Sequence, residues 1–280
     1  MNYSNKLFFL FVLFFNVFFY SQSIKNDTLR ADFTYLLKVK LNKLNPRIDE
    51  ELFSLQVGDN RAFFTSNNSV RRDSVIQSIS DKDVQNGSNI LDARGTSMPK
   101  TKFPYTIIQS NDVQYFRWVM VTLFTYKEQA IDNWKLINES KIINTINCKK
   151  AEVNFKGRNW TAWYSPEIPF PYGPYKFSGL PGLIIKITDE KGDYDFELVK
   201  SLPNSKLKGK IVTINKNRYT DAVETTQPKL ERAIEDANNN SSAILASYGT
   251  NIVQGQDIIK QKQKQRELEK KGRNPIELDN

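Results

Sequence analysis

Over residues 29–41 apolar side chains fall on alternate positions. Ala31, Phe33, Tyr35, Leu37, Val39 and Leu41 share one side; Asp32, Thr34, Lys38 and Lys40 take the other. A period of two predicts a half-buried strand of an antiparallel sheet. Residues 51–57 and 61–65 read as the next two strands, turning at Gly58-Asp59-Asn60. Val75, Ile76 and Ile79 are spaced for a short helix over 71–79, and 81–101, rich in Asn, Gly, Ser and Lys, reads as a loop. The β pattern returns over 106–108, 113–118, 119–126 and 134–139.

Two hairpins follow. Residues 148–155 and 158–165 flank Lys156-Gly157, a dipeptide suited to a tight turn. A two-residue turn pairs Val153 with Trp160, Ala151 with Ala162, Glu152 with Thr161, and Lys150 with Trp163, where a cation–π contact is expected. Residues 183–189 and 194–200 turn at Lys191-Gly192, opposing Ile187 to Phe196 and Lys186 to Glu197. A last strand is expected over 210–214. Pro228 then opens a helix over 227–238, ended by Asn238-Asn239-Asn240, and the polar run 260–271 is a solvated helix or disordered.

Between the two hairpins lies the least regular stretch of the chain, 165–182. Prolines 166, 169, 171, 174 and 181 remove amide donors, while Gly173, Gly179 and Gly182 open backbone angles other residues resist. Phe170, Tyr172, Tyr175 and Phe177 give it more apolar surface than a solvated linker carries. It reads either as a rigid aromatic recognition loop or as a structural clamp packed on its own domain. Arg158, Trp163, Glu167, Tyr172, Tyr175, Lys176 and Phe177 are its candidate binding residues. For Leu180-Pro181-Gly182-Leu183 the expectation is structural: Pro181 makes a stiff turn, and the two leucines anchor its sides in the core.

Composition narrows the chemistry. Lys6 precedes an apolar run over 7–20 that is too short to span a bilayer and ends in Ser21-Gln22-Ser23, the layout of a secretory signal peptide over 1–22. No later segment is apolar enough for a membrane anchor. The expected organisation is therefore a signal (1–22), an antiparallel β domain (23–215), and a C-terminal helix with a basic polar tail (216–280). Cys148 is the single cysteine, so no internal disulfide forms, and a buried, inert thiol is expected there. With His 0, every His-based general base and Ser-His-Asp or Cys-His arrangement is excluded. The net charge of +9 is assigned to a solvated basic surface, much of it in the tail, with no nucleic-acid partner. Asp189, Glu190, Asp193 and Asp195 read as a solvated turn, not a cation site.

The words Cys148-Lys149-Lys150-Ala151, Gly157-Arg158, Thr161-Ala162-Trp163-Tyr164, Glu167-Ile168-Pro169, Gly173-Pro174-Tyr175-Lys176-Phe177 and Gly179-Leu180-Pro181-Gly182-Leu183-Ile184 occur in one order. Together they resemble the GLPGLI family of exported Bacteroidetes-type proteins, and Asn274-Pro275-Ile276-Glu277-Leu278 resembles that family's ending. The resemblance implies the periplasm, outer surface or exterior of a diderm bacterium, and it brings no established activity to carry over.

The fold class expected is mainly β: one strongly curved antiparallel sheet, half-barrel or barrel-like, with a C-terminal helical segment. The function expected is a secreted or periplasmic non-enzymatic binding or assembly factor. A lipid, a peptide or an envelope protein would be held by the curved sheet or the 165–182 loop. The alternative is a His-free enzyme, such as a hydrolase, using Glu or Asp with Tyr or Lys. No catalytic residue, metal ligand or cofactor is assigned. A deep apolar cavity would favour the small-molecule binder; a filled core with an exposed aromatic patch would favour a protein partner.

Overall fold

A computed structural model describes residues 26–45, 47–87, 92–247 and 256–278. The signal peptide expected over 1–22 lies outside the described residues. The strands are β1 (Ala31–Val39), β2 (Asp49–Val57), β3 (Ala62–Ser66), β4 (Tyr105–Gln109), β5 (Asp112–Val119), β6 (Thr122–Gln129), β7 (Lys135–Ile143), β8 (Ile146–Phe155), β9 (Arg158–Ser165), β10 (Leu183–Asp189), β11 (Tyr194–Ser201) and β12 (Val223–Glu224). They form one 12-stranded sheet in the order β12-β6-β5-β4-β3-β2-β1-β11-β10-β9-β8-β7. Every pairing is antiparallel except the short parallel β12–β6 contact. Two up-and-down wings, β2–β6 and β7–β11, thus meet at a central seam where β1 pairs with β11.

The sheet is strongly curved. β6 and β7 lie ten strand steps apart in the order, which in a flat sheet is about 48 Å at ~4.8 Å per strand. Yet only residues 130–134 connect them, a span of about 20 Å at full extension. The wings must therefore curl towards each other, although β6 and β7 do not hydrogen-bond and the barrel stays open. The expected mainly-β, half-barrel class is what the chain adopts.

Alternation decides what faces the hollow. β1 buries Ala31, Phe33, Tyr35, Leu37 and Val39, as its period of two requires. These pack with Phe53, Phe64, Tyr105, Ile107, Trp160, Ile187 and Phe196 on the concave side. β3 and β4 are buried on both faces because a second cluster of Phe63, Ile108, Phe116, Leu123 and Ile214 covers the convex side. There α1 (Asn67–Gln85) lies against the sheet, tied to the 216–218 turn by Arg218 Nη2 to Asp73 at 2.8 Å. This helix is longer than the 71–79 expected. Ser66, the last residue of β3, caps it by accepting from the amides of Asn68 and Ser69, and so starts it four residues earlier.

Residues 210–214 do not form the strand expected. One bridge, Thr28 to Ile211, is all that pairs, because the Gln56 side chain takes the Thr213 amide at 2.8 Å and Asn215 caps a 3-10 turn. C-terminally, α2 (Gln227–Ser247) runs past the triple asparagine, where Asn240 departs from helical angles and kinks it, and buries Leu230. The run expected to be a solvated helix or disordered is α3 (Gln256–Lys271).

Candidate functional site

The β8–β9 hairpin has the expected register, with Val153 opposite Trp160, Ala151 opposite Ala162 and Lys150 opposite Trp163. Lys156 and Gly157 both take positive φ, 49° and 75°, the two-residue turn whose twist matches the strands. The cation over Trp163 is not Lys150, however. A bulge in β7 between Ile137 and Ser140 brings Lys141 to 3.8 Å from the ring centroid, and Lys150 goes to Glu139 and Glu152.

The 165–182 stretch folds back into the mouth of the half-barrel. Phe170 and Tyr172 donate their amides to the carbonyls two residues before them, and Gly179 N reaches Pro171 O at 3.0 Å. Gln109 of β4 then clamps the crown, donating to the carbonyls of Gly173 and Tyr175 and accepting from Gly173 N. Phe177 is fully buried 4.6 Å from Trp160, while Leu180 and Leu183 are buried on either side of Pro181. The structural role expected of Leu180-Pro181-Gly182-Leu183 is thereby visible in the packing.

Two buried ionic clusters, one at Arg158 on β9 and one inside the plug at Lys176, take up three of the seven candidate binding residues. Arg158, 5% exposed, pairs with Asp189 at 2.7 Å and donates to Asn274 Oδ1 and the Pro275 carbonyl, both at 2.6 Å. Asp189 is therefore not part of a solvated turn. It is 3% exposed and also accepts from the Tyr194 amide, since strand alternation aims it inward beneath the guanidinium. Lys176, 1% exposed, lies 2.8 Å from Glu128 and 2.6 Å from Glu277, with the rings of Tyr115, Tyr126 and Tyr175 around it. Tyr175 Oη donates to Glu277 at 2.7 Å, and Gln227 to the other oxygen of that carboxylate at 2.8 Å. These partners are inside the fold, so Arg158, Tyr175, Lys176 and Phe177 are occupied within the chain. Asn274 and Glu277 were not singled out as site residues, and only their place in the resembling C-terminal word marked them.

Burial pushes the phenols of Tyr35, Tyr105 and Tyr175 well above the ordinary value of 10.0, and those of Tyr126 and Tyr194 upward for the same reason. A raised folded-state value for an acid means that its contribution to stability is complete below the unfolded value near 10. It is lost as pH climbs beyond that. In an alkaline titration the phenolate absorbance of these five tyrosines is expected to appear together with loss of the β-sheet circular dichroism. Ionisation of all five within a folded protein would contradict the packing.

The remaining candidates are less deeply buried. Glu167 accepts from Asn147 Nδ2 at 2.9 Å, Tyr172 is half-buried, and Trp163 carries Lys141. Glu167 and Lys141 help line an open depression of about 410 Å³ with Ser140, Ile142, Asn147, Cys148, Lys149 and Pro166. Ile142 and Leu136 on β7 are 70% and 57% exposed. Cys148 is 1% exposed, and burial pushes its thiol up, in keeping with an inert side chain. Among the described residues there is no cluster of His, Cys, Asp or Glu able to hold a metal ion, and no helix long and apolar enough to cross a membrane.

Residues 132–186, which span β7 through most of β10 and the plug, match a family described as "Protein of unknown function (Porph_ging)". The match overlaps the stretch that carries the GLPGLI resemblance, but the GLPGLI name itself is not confirmed by it. No curated protein matches the chain. Among solved structures the chain is similar to PNGF-II in its P21 crystal form, at 14% identity and a TM-score of 0.49 over 74% of this chain and 33% of that one. The C2 form gives 13% and 0.48 over the same shares. The chain thus spans about a third of that relative's length. A LolA superfamily protein from Nitrosomonas europaea is similar at 7% identity and a TM-score of 0.25, over 63% of this chain and 89% of that one.

Proposed function

We propose that this protein is an exported, non-enzymatic binding or assembly factor that engages an envelope protein with the outer surface of its β7–β9 edge. Residues 1–22 serve as the export signal in this reading. One observation carries it: the concave face that a lipid carrier would leave open is filled by the chain's own Tyr175, Phe177, Leu180 and Leu230. Binding energy then has to come from outside surface. The β7–β9 edge offers exposed Leu136 and Ile142, the Lys141–Trp163 stack, and an outer strand whose second edge pairs with no described strand. An extended segment can add to such an edge through main-chain hydrogen bonds.

Native mass spectrometry of the protein taken from its own cell envelope tests this. The expected result is a protein complex lost in the double variant Leu136→Arg, Ile142→Arg, with the monomer free of lipid. A stoichiometric lipid adduct retained by that variant would overturn the reading.

A further inference from the structure

The last described residues behave as a bound peptide. The Asn274 amide donates to the Leu41 carbonyl at 3.0 Å, and its side-chain nitrogen to the Lys40 carbonyl at 2.7 Å. Its side-chain oxygen accepts from Arg158 and its main-chain carbonyl from Tyr194 Oη, both at 2.6 Å. Arg158 also holds the Pro275 carbonyl, and Leu278 N reaches the Lys156 carbonyl at 2.8 Å. Glu277 enters the Lys176–Tyr175–Gln227 pocket. Main-chain bonds alternating with two deeply read side chains are the pattern by which a groove recognises an extended peptide.

The tether contrasts with what it carries. α3 is anchored to α2 by exposed contacts, Lys270 to Glu235 and Arg266 to the Asn238 carbonyl, and its Leu268 is 58% exposed. Asn274 and Glu277, just beyond it, are 1% and 5% exposed. Buried charge pairs yield little net stability against their desolvation cost, but their geometry fixes register. A segment present only to seal the mouth would be served as well by apolar side chains.

We propose that the groove bounded by Lys40–Asn42, Arg158, Tyr175–Lys176 and Tyr194 is a peptide-recognition site. Its ligand is an extended segment with Asn-Pro and a Glu two residues after the proline, and Asn274–Leu278 fills it in cis by virtue of its tether. The inference concerns the mouth of the sheet and does not depend on the outer-edge reading.

The experiment uses the full chain with a protease site inserted after residue 251, cut after folding, and a fluorescent peptide Gly-Arg-Asn-Pro-Ile-Glu-Leu (residues 272–278) as probe. The uncut protein is expected to exclude the probe. The cut protein is expected to exchange its C-terminal fragment for it, and probes carrying the Asn274→Ala or Glu277→Ala change should bind at least tenfold more weakly. A second copy as donor of the segment would show itself as uncut dimers that exchange labelled chains. A separate donor protein would leave the uncut chain monomeric while the cut chain takes up the probe. A cut protein that takes up no probe overturns the proposal, whether it keeps its fragment, sheds it or unfolds. Equal binding of all three probes does the same.

Discussion

Lys176→Met is expected to lower the free energy of unfolding by about 3–5 kcal/mol, the range for removing one partner of a buried ion pair. Methionine keeps the aliphatic stem and removes only the ammonium. Glu277, 5% exposed, then keeps neutral donors from Tyr175 and Gln227 but has no cation beside it. Glu128 retains Lys156 at 3.5 Å and suffers less. The loss comes mainly from stranding a carboxylate, so neutralising that carboxylate too should restore much of it. The double variant Lys176→Met, Glu277→Gln is expected to be more stable than Lys176→Met alone, with the difference read from urea midpoints at unchanged m. A single variant as stable as the parent would mean that the cluster is open to water.

Gly182→Ala is expected to cost about 3 kcal/mol or more, at the upper end of the overpacking range. The backbone there has φ of +146°, and an added Cβ would lie 2.1 Å from the Ser165 carbonyl oxygen and 2.9 Å from Pro166 Cα. Those atoms are main chain at the point where β9 leaves the sheet and β10 enters it, so nothing flexible can give way. Gly192→Ala is the matching control. Its φ of +64° strains alanine, but nothing lies within 4 Å of the new methyl, so a cost of about 1 kcal/mol is expected. If the two variants melted alike by differential scanning calorimetry, the tight junction at Gly182 would not exist in solution.

Local chemistry was legible where short-range rules decide the outcome. Lys156-Gly157 sets the β8–β9 register, and the alternation from Ala31 to Val39 names the buried face of β1. The density of rings and prolines around Pro181 marks a packed plug. What could not be read is pairing across sequence distance. Arg158 meets Asp189 and Asn274, and Lys176 meets Glu128 and Glu277; no spacing rule links these positions. A charged residue in a ring-rich loop therefore looked like a ligand contact when its counter-charge lay elsewhere in the chain. Lys141 shows a subtler failure: one bulge in β7 moved the cation over Trp163 from an opposed residue to a diagonal one. Residues 210–214 carry a strand-like sequence, but the Gln56 side chain displaced the main-chain partner they needed.

The seam between β1 and β11 bears on how the molecule assembles. Each wing can zip from its hairpins, where contacts are near in sequence, but the centre of the sheet joins the first strand to the eleventh and must await closure of a long loop. Until then β1 presents an open row of amides and carbonyls beside Phe33, Tyr35 and Leu37, a template on which another unfinished chain can add. Refolding yield is thus expected to rise as the chains are diluted, since crowded chains can join each other at the edge that β11 would otherwise occupy.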